Sequence, residues 1–151
     1  MGFYEFFTNK ALIAPLIAWI IAQLIKVVIE IVTNHRLDLG RLVSSGGMPS
    51  SHSAFVSALA TTVGLIDGVG SVTFAISVIF ASVVLYDAAG VRHSVGKQAV
   101  VLNRIIREFR ERRPIAELEA DLKELIGHTA FEVAAGVLLG VGVALLWVAF
   151  I

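Results

Sequence analysis

Apolar residues fill four stretches of the chain, and the polar residues gather between them. The first stretch runs from Ala11 to about Thr33 and is broken only by Lys26 and Glu30. A second runs from Pro49 to Ile66, a third from Val69 to Tyr86 without a charge, and a fourth from Val133 to Ile151, also uncharged. Each nears or reaches the ~18–20 residues that carry a helix across about 30 Å of hydrocarbon. A soluble chain of 151 residues has too small an interior to hide four such segments. The pattern predicts an all-α integral-membrane bundle of about four transmembrane helices in a single membrane domain, 1–151, with spans at about 11–33, 49–66, 69–91 and 129–151.

The connection between the third and fourth spans, about 97–126, has a different pattern. Val101, Leu102, Ile105, Ile106 and Phe109 recur at helical spacing, with Arg104, Arg107 and Arg110 on the other side. Such a stripe has two destinations: the headgroup layer, where the arginines meet anionic lipid, or the protein's own spans. Arg113-Pro114 marks a break, and a second short helix is expected to follow, faced by Leu118, Leu122 and Leu125 and stopped at Gly127. The expected element is a cytoplasmic amphipathic helical segment.

Composition agrees with the pattern. The chain is 57% hydrophobic with a mean hydropathy of +0.85, above the roughly 45–50% apolar usage of soluble domains. Zero formal net charge gives no electrostatic case for nucleic acid. The absence of cysteine rules out disulfides and thiolate metal sites. No signal peptide is expected, because the first ten residues carry Glu5 and Lys10 and no small-residue cleavage site follows.

Charge sets the expected orientation. Eight of the twelve basic residues lie between Arg92 and Gly127, and Arg36 and Arg41 lie between the first two spans. The turn Asp67-Gly68-Val69-Gly70 has none. Basic residues near span ends favour the cytoplasm, so both basic segments are expected there and both termini outside.

Ionisable groups within or at the ends of spans require a partner or a function. Gln23, Lys26 and Glu30 share one helical face, where Lys26 and Glu30 could also simply pair at i, i+4. Asp87 and Arg92 end the third span, followed by Lys97, and could form a helix-end ion pair. His128 and Glu132 open the fourth span at i, i+4. Between the first two spans lies Gly46-Gly47-Met48-Pro49-Ser50-Ser51-His52-Ser53. The expected topology brings all of these to the cytoplasmic end of one bundle, which points to a site.

The chemistry that suits these residues is phosphate chemistry. Ser50 and Ser51 open a helix whose free N–H groups and dipole favour an anion. Lys26, Arg41, Arg92, Lys97 and Lys123 supply positive charge. His52 and His128 have the chemistry of a proton donor and a nucleophile, and Glu132 that of a carboxylate orienting His128. Asp87, Glu132, His52 and His128 lack any recognised metal-ligand spacing, so no metal and no cofactor is expected.

At these residues the chain resembles the divergent, bacterial and plant branch of the type 2 phosphatidic acid phosphatase superfamily, whose wider membership includes vanadium haloperoxidases. The likeness covers nearly the whole chain. It rests on Gln23 and Lys26, the run Gly46–Ala54, Tyr86–Arg92, Gly96-Lys97-Gln98-Ala99 and Leu125–Thr129. The superfamily transfers phosphoryl groups without metal, through a phosphohistidine. The resemblance implies that Pro49-Ser50-Ser51-His52 corresponds to the family's Pro-Ser-Gly-His, with His52 as general acid. It implies His128 as nucleophile and Glu132, in place of the usual Asp, as its orienting acid. The chain departs from the wider pattern in three places. Thr33 stands where an Arg-Pro would begin, Asp121-Leu122 stands where Ser-Arg would fall, and Asp87–Arg92 has no counterpart.

The expected function is that of a membrane lipid phosphatase acting on a phosphomonoester or pyrophosphate headgroup of a phospholipid or isoprenoid phosphate. The alternative is a catalytically inactive membrane protein that binds or transports a lipid phosphate. The expected partners are the membrane lipid bilayer and the lipid-phosphate substrate. Gly64–Gly68 and Gly136–Gly140 are small-xxx-small pairs that let helices approach closely, and a thin four-span wall leaves room for a homodimer.

Overall fold

The computed structural model describes residues 5, 7–35, 47–91, 98, 100–103, 105–106 and 128–150. The protein is an all-α bundle, and no strand occurs among the described residues. Helix α1 is Lys10–Asn34, α2 is Ser51–Ile66, α3 is Val72–Tyr86, and α4 is Ala130–Phe150. A π-helical turn, Asp87–Val91, extends α3. By length and apolarity α1, the continuous segment Val72–Gly90 and α4 can cross a membrane, and α2 is a shorter apolar helix. The protein is therefore an integral membrane protein.

Helix starts follow from local side-chain chemistry. Asn9 caps α1 by accepting the Ala11 N–H at 2.9 Å, and Ser50 caps α2 by accepting the Ser53 N–H at 3.3 Å. Ser71 caps α3 through the Phe74 N–H at 3.1 Å, and its own hydroxyl donates to the Gly68 carbonyl at 2.8 Å. Replacing it, Ser71→Ala, should cost about 1 kcal/mol in a denaturant titration in detergent without altering the assembled bundle.

Helix α2 is the centre: it packs on α1, α3 and α4, and α1 also packs on α4. Its seam is made of small residues, with Ala18 and Ala22 of α1, Ala54 and Ala58 of α2 and Ala144 of α4 all fully buried. Helices in lipid gain little from hiding apolar area from lipid tails that are equally apolar, so close van der Waals packing of small side chains holds them together. The α2–α4 seam is the tightest. A Cβ at Gly136 would strike the Ser50 carbonyl oxygen and Ser53 Cβ, and one at Gly140 would strike the Ala54 carbonyl oxygen and the Ala58 nitrogen. Contacts that advance together along both helices make α2 and α4 parallel, so both N-termini lie at one end. The other glycine pair behaves differently: Gly64 faces the Phe74 ring, while Gly68 adopts φ +85° in the α2–α3 turn.

Residues 100–103 and 105–106 are helical. Val101, Leu102 and Ile105 are exposed and, with Gln98, line an open apolar groove; the buried position here is Asn103. Of the described stripe, Val101, Leu102 and Ile105 are therefore exposed and Ile106 is half-buried.

Candidate functional site

The parallel starts of α2 and α4 carry the chemistry. At α4, Thr129 and Glu132 form a capping box: Glu132 Oε2 accepts the Thr129 N–H at 2.8 Å, and Thr129 Oγ1 accepts the Glu132 N–H at 3.3 Å. The same Oε2 lies 3.3 Å from His128 Nδ1. The cap thus fixes the carboxylate, and the carboxylate fixes the ring. His128 is 1% exposed, whereas the Glu132 side chain is 22% exposed. With an Nδ1 proton directed at Glu132, the lone pair of the ring resides on Nε2.

At α2, Ser50, Ser51 and Ser53 are buried. The Ser53 hydroxyl donates to Ser50 Oγ at 2.9 Å. The Ser50 N–H donates to the Glu132 carbonyl at 3.0 Å, joining the two helix starts directly. From α1, the Lys26 ammonium donates to Ser51 Oγ at 3.2 Å. Lys26 is 4% exposed and Gln23, one turn away on the same face, 6% exposed. A buried ammonium, two helix N-termini and a shelf of hydroxyls form a cluster whose charge matches an anion.

The structure links Lys26 to Ser51, Ser50 to Glu132 and Glu132 to His128, with Gln23 buried one turn from Lys26. The Lys26 ammonium reaches across to α2, and Glu30 Oε1 accepts from Asn34 Nδ2 at 2.7 Å, farther along α1. Glu30 is half-buried. His52, on the first turn of α2, is exposed. Asp87 is half-buried on the π-helical turn, which touches α4. Arg41, Arg92, Lys97 and Lys123 lie outside the described residues. Among the described residues no group of three His, Asp or Glu side chains could hold a metal ion.

Two participants escaped the sequence reading. Ser53 completes the hydroxyl shelf, and Thr129 shares Glu132 with His128. Both had a sequence signal, the first in the Ser-Ser-His-Ser run and the second in the Thr-x-x-Glu spacing of a capping box.

Comparison with known proteins places these features in context. A family model described as "Divergent PAP2 family" matches residues 7–143. The "Uncharacterized membrane protein YuiD" of Bacillus subtilis (strain 168) is 42% identical over 146 residues, covering 91% of this chain and 92% of that protein. No solved structure matches the chain.

Proposed function

The chain belongs to the divergent PAP2 family, and from that premise we propose that it is a membrane lipid phosphatase that hydrolyses a phosphomonoester or pyrophosphate headgroup through a phosphohistidine, without metal. The observation that carries this reading is the buried His128, held through Nδ1 by Glu132 beside the Lys26–Ser51 cradle. His128 Nε2 attacks phosphorus in line with the lipid oxygen. The P–O bond to the lipid breaks, and the leaving oxygen takes a proton from His52. Water then attacks the phosphohistidine, gives a proton to His52 and releases inorganic phosphate. Glu132 keeps the Nδ1 proton in place and balances the charge the ring acquires. Lys26, Ser50, Ser51 and the helix N-termini hold the phosphate oxygens, with Arg41, Arg92, Lys97 and Lys123 as further cations. The basic residues flanking this end support a cytoplasmic site.

A second reading, binding or transport of a lipid phosphate without turnover, draws support from one feature. Glu132 Oε2 is shared between His128 and the Thr129 N–H, which weakens its hold on the ring.

The test is phosphate release in detergent from phosphatidic acid, phosphatidylglycerophosphate and undecaprenyl phosphate and pyrophosphate, with chelator present. Chelator-resistant release is expected, and binding with no release on any of them favours the second reading. Lys26→Met keeps the unbranched side chain, one atom shorter, and removes its charge. It should leave the bundle folded and weaken inhibition by inorganic phosphate about 10- to 100-fold, the loss of one charge-assisted contact.

A further inference from the structure

The alanine seam stops short of the end of the bundle remote from the serine shelf, and the residues that follow it carry polar atoms. Thr62 stands one turn beyond Ala58 on α2 and is 0% exposed. Its Oγ1 is buried and has no hydrogen-bond partner among the described residues. A hydroxyl on a helix can return to a carbonyl about one turn back, as Ser77 does to Phe74 and Ser82 to Val78, both at 2.8 Å. Trp147 Nε1, on α4, is likewise buried without a partner among the described residues, although a buried indole N–H usually finds an acceptor.

Register brings these two groups to one level. Gly136 meets Ser50 and Ser53, and Gly140 meets Ala54 and Ala58, so α4 and α2 advance in step and Trp147 stands level with Thr62. Trp147 also shares a face with Gly136, Gly140 and Ala144, the face packed on α2. Helix α1 runs the other way: Lys26 reaches Ser51, and Ala22 and Ala18 join the seam of Ala54 and Ala58. Eleven residues separate Ser51 from Thr62, and eleven separate Lys26 from Pro15. Pro15 is therefore at the Thr62 level, fully buried, about 16 Å from the Lys26–Ser51 contact at ~1.5 Å per residue. Proline has no N–H, so within α1 the Ala11 carbonyl loses its regular helical donor on this buried side.

We propose that this level holds one ordered water, bound by the Trp147 indole N–H, the Thr62 hydroxyl and the Ala11 carbonyl, which ties the proline break of α1 to the α2–α4 pair. The three groups differ in the way a water needs. The indole only donates, the carbonyl only accepts, and the hydroxyl does either. A water accepts from Trp147, donates to Ala11 and shares a third bond with Thr62, within the roughly 2–4 polar partners that a buried water takes. A cation would be opposed by the indole N–H, and an anion by the carbonyl. A proline inside a span is tolerated where threonine side chains or ordered waters satisfy the carbonyl it frees. Helix α1 is then fastened at two levels, by Lys26 on Ser51 and by the water one half of the bundle away. This inference does not rest on the phosphatase reading.

The chain has two tryptophans, so Trp19→Phe leaves Trp147 as the single indole. Magnetisation transfer from water to its N–H would be measured by NOE and ROE on nitrogen-15-labelled protein in phospholipid nanodiscs. Transfer with the sign of a long-lived bound water is expected; its absence would overturn the site. Two variants on that background identify the partners. Thr62→Val keeps the shape and removes the hydroxyl, while Pro15→Ala returns an N–H to the Ala11 carbonyl. Each should abolish the transfer. Transfer that persists in Pro15→Ala comes from the threonine hydroxyl itself and would overturn the bridging water. Persistence in Thr62→Val would remove Thr62 from the site and overturn the three-way bridge. If Thr62→Val does not fold, the parent spectrum and Pro15→Ala still decide.

Discussion

Gly140→Ala should destabilise the protein by about 3 kcal/mol or more, although it adds only one methyl group. The methyl would be built against the Ala54 carbonyl oxygen, with the Ala58 nitrogen at 2.9 Å and the Ala54 carbonyl carbon at 3.0 Å. All three are backbone atoms of α2, so no rotamer change relieves the clash and the helices have to separate. Separation opens the alanine seam through Ala54, Ala58 and Ala144, which is the part of the bundle with the closest packing. Gly142→Ala, two residues on, is the control. Nothing lies within 4 Å of a Cβ there, so it should be neutral or stabilising by a few tenths to about 1 kcal/mol through the loss of chain entropy in the unfolded state. The measurement is the unfolding midpoint in detergent for both variants. Equal midpoints for Gly140→Ala and Gly142→Ala would mean that the α2–α4 seam does not hold the helices together. Gly136→Ala tests the other end of the same seam: its methyl meets the Ser50 carbonyl oxygen, so it displaces the serine shelf as well as the helix.

The fold was largely legible because membrane spans are written in unbroken apolar runs, and three of the four became helices long enough to cross. The fourth shows where legibility stops. The apolar run Pro49–Ile66 reads as a span, but it forms a helix of 16 residues, Ser51–Ile66, shorter than the three that can cross. No local pattern shows that its start meets α1 at Lys26, because that contact is made by packing. Lys26 itself makes the same point. Its spacing to Glu30 allows a local pair, and only packing reveals that α2 offers a buried hydroxyl at the right height. The glycine pairs divided for a similar reason. Gly136 and Gly140 face a neighbouring helix, whereas Gly68, at an identical spacing from Gly64, is used for a turn with positive φ. The Thr129–Glu132 capping box was readable from spacing alone, and it changes the meaning of Glu132. The carboxylate is positioned first by its own helix, and only through that does it orient the histidine.

This ordering shapes the second large effect, expected at His128. His128→Ala would empty a fully buried position at a cost of about 2–4 kcal/mol by analogy with other large-to-small changes, so a loss of turnover could follow from the cavity alone. His128→Asn is the sharper variant, because its amide can occupy the place of Nδ1 next to Glu132 while Nε2 is gone. It should fold, keep binding inorganic phosphate, and lose phosphate release by at least about 1,000-fold, the usual scale for removing a covalent nucleophile. A phosphoenzyme trapped from radiolabelled substrate, stable to base and labile to acid, should form on the parent protein and be absent from His128→Asn. Glu132→Gln separates the two duties of the carboxylate. The amide oxygen still accepts the Thr129 N–H, so the unfolding midpoint should hold, while the lost charge should slow turnover about 10- to 100-fold through a less basic imidazole. Turnover at the parental rate in His128→Asn would remove the phosphohistidine. A lowered midpoint in Glu132→Gln would show that the charge itself, and not only the cap, holds the start of α4.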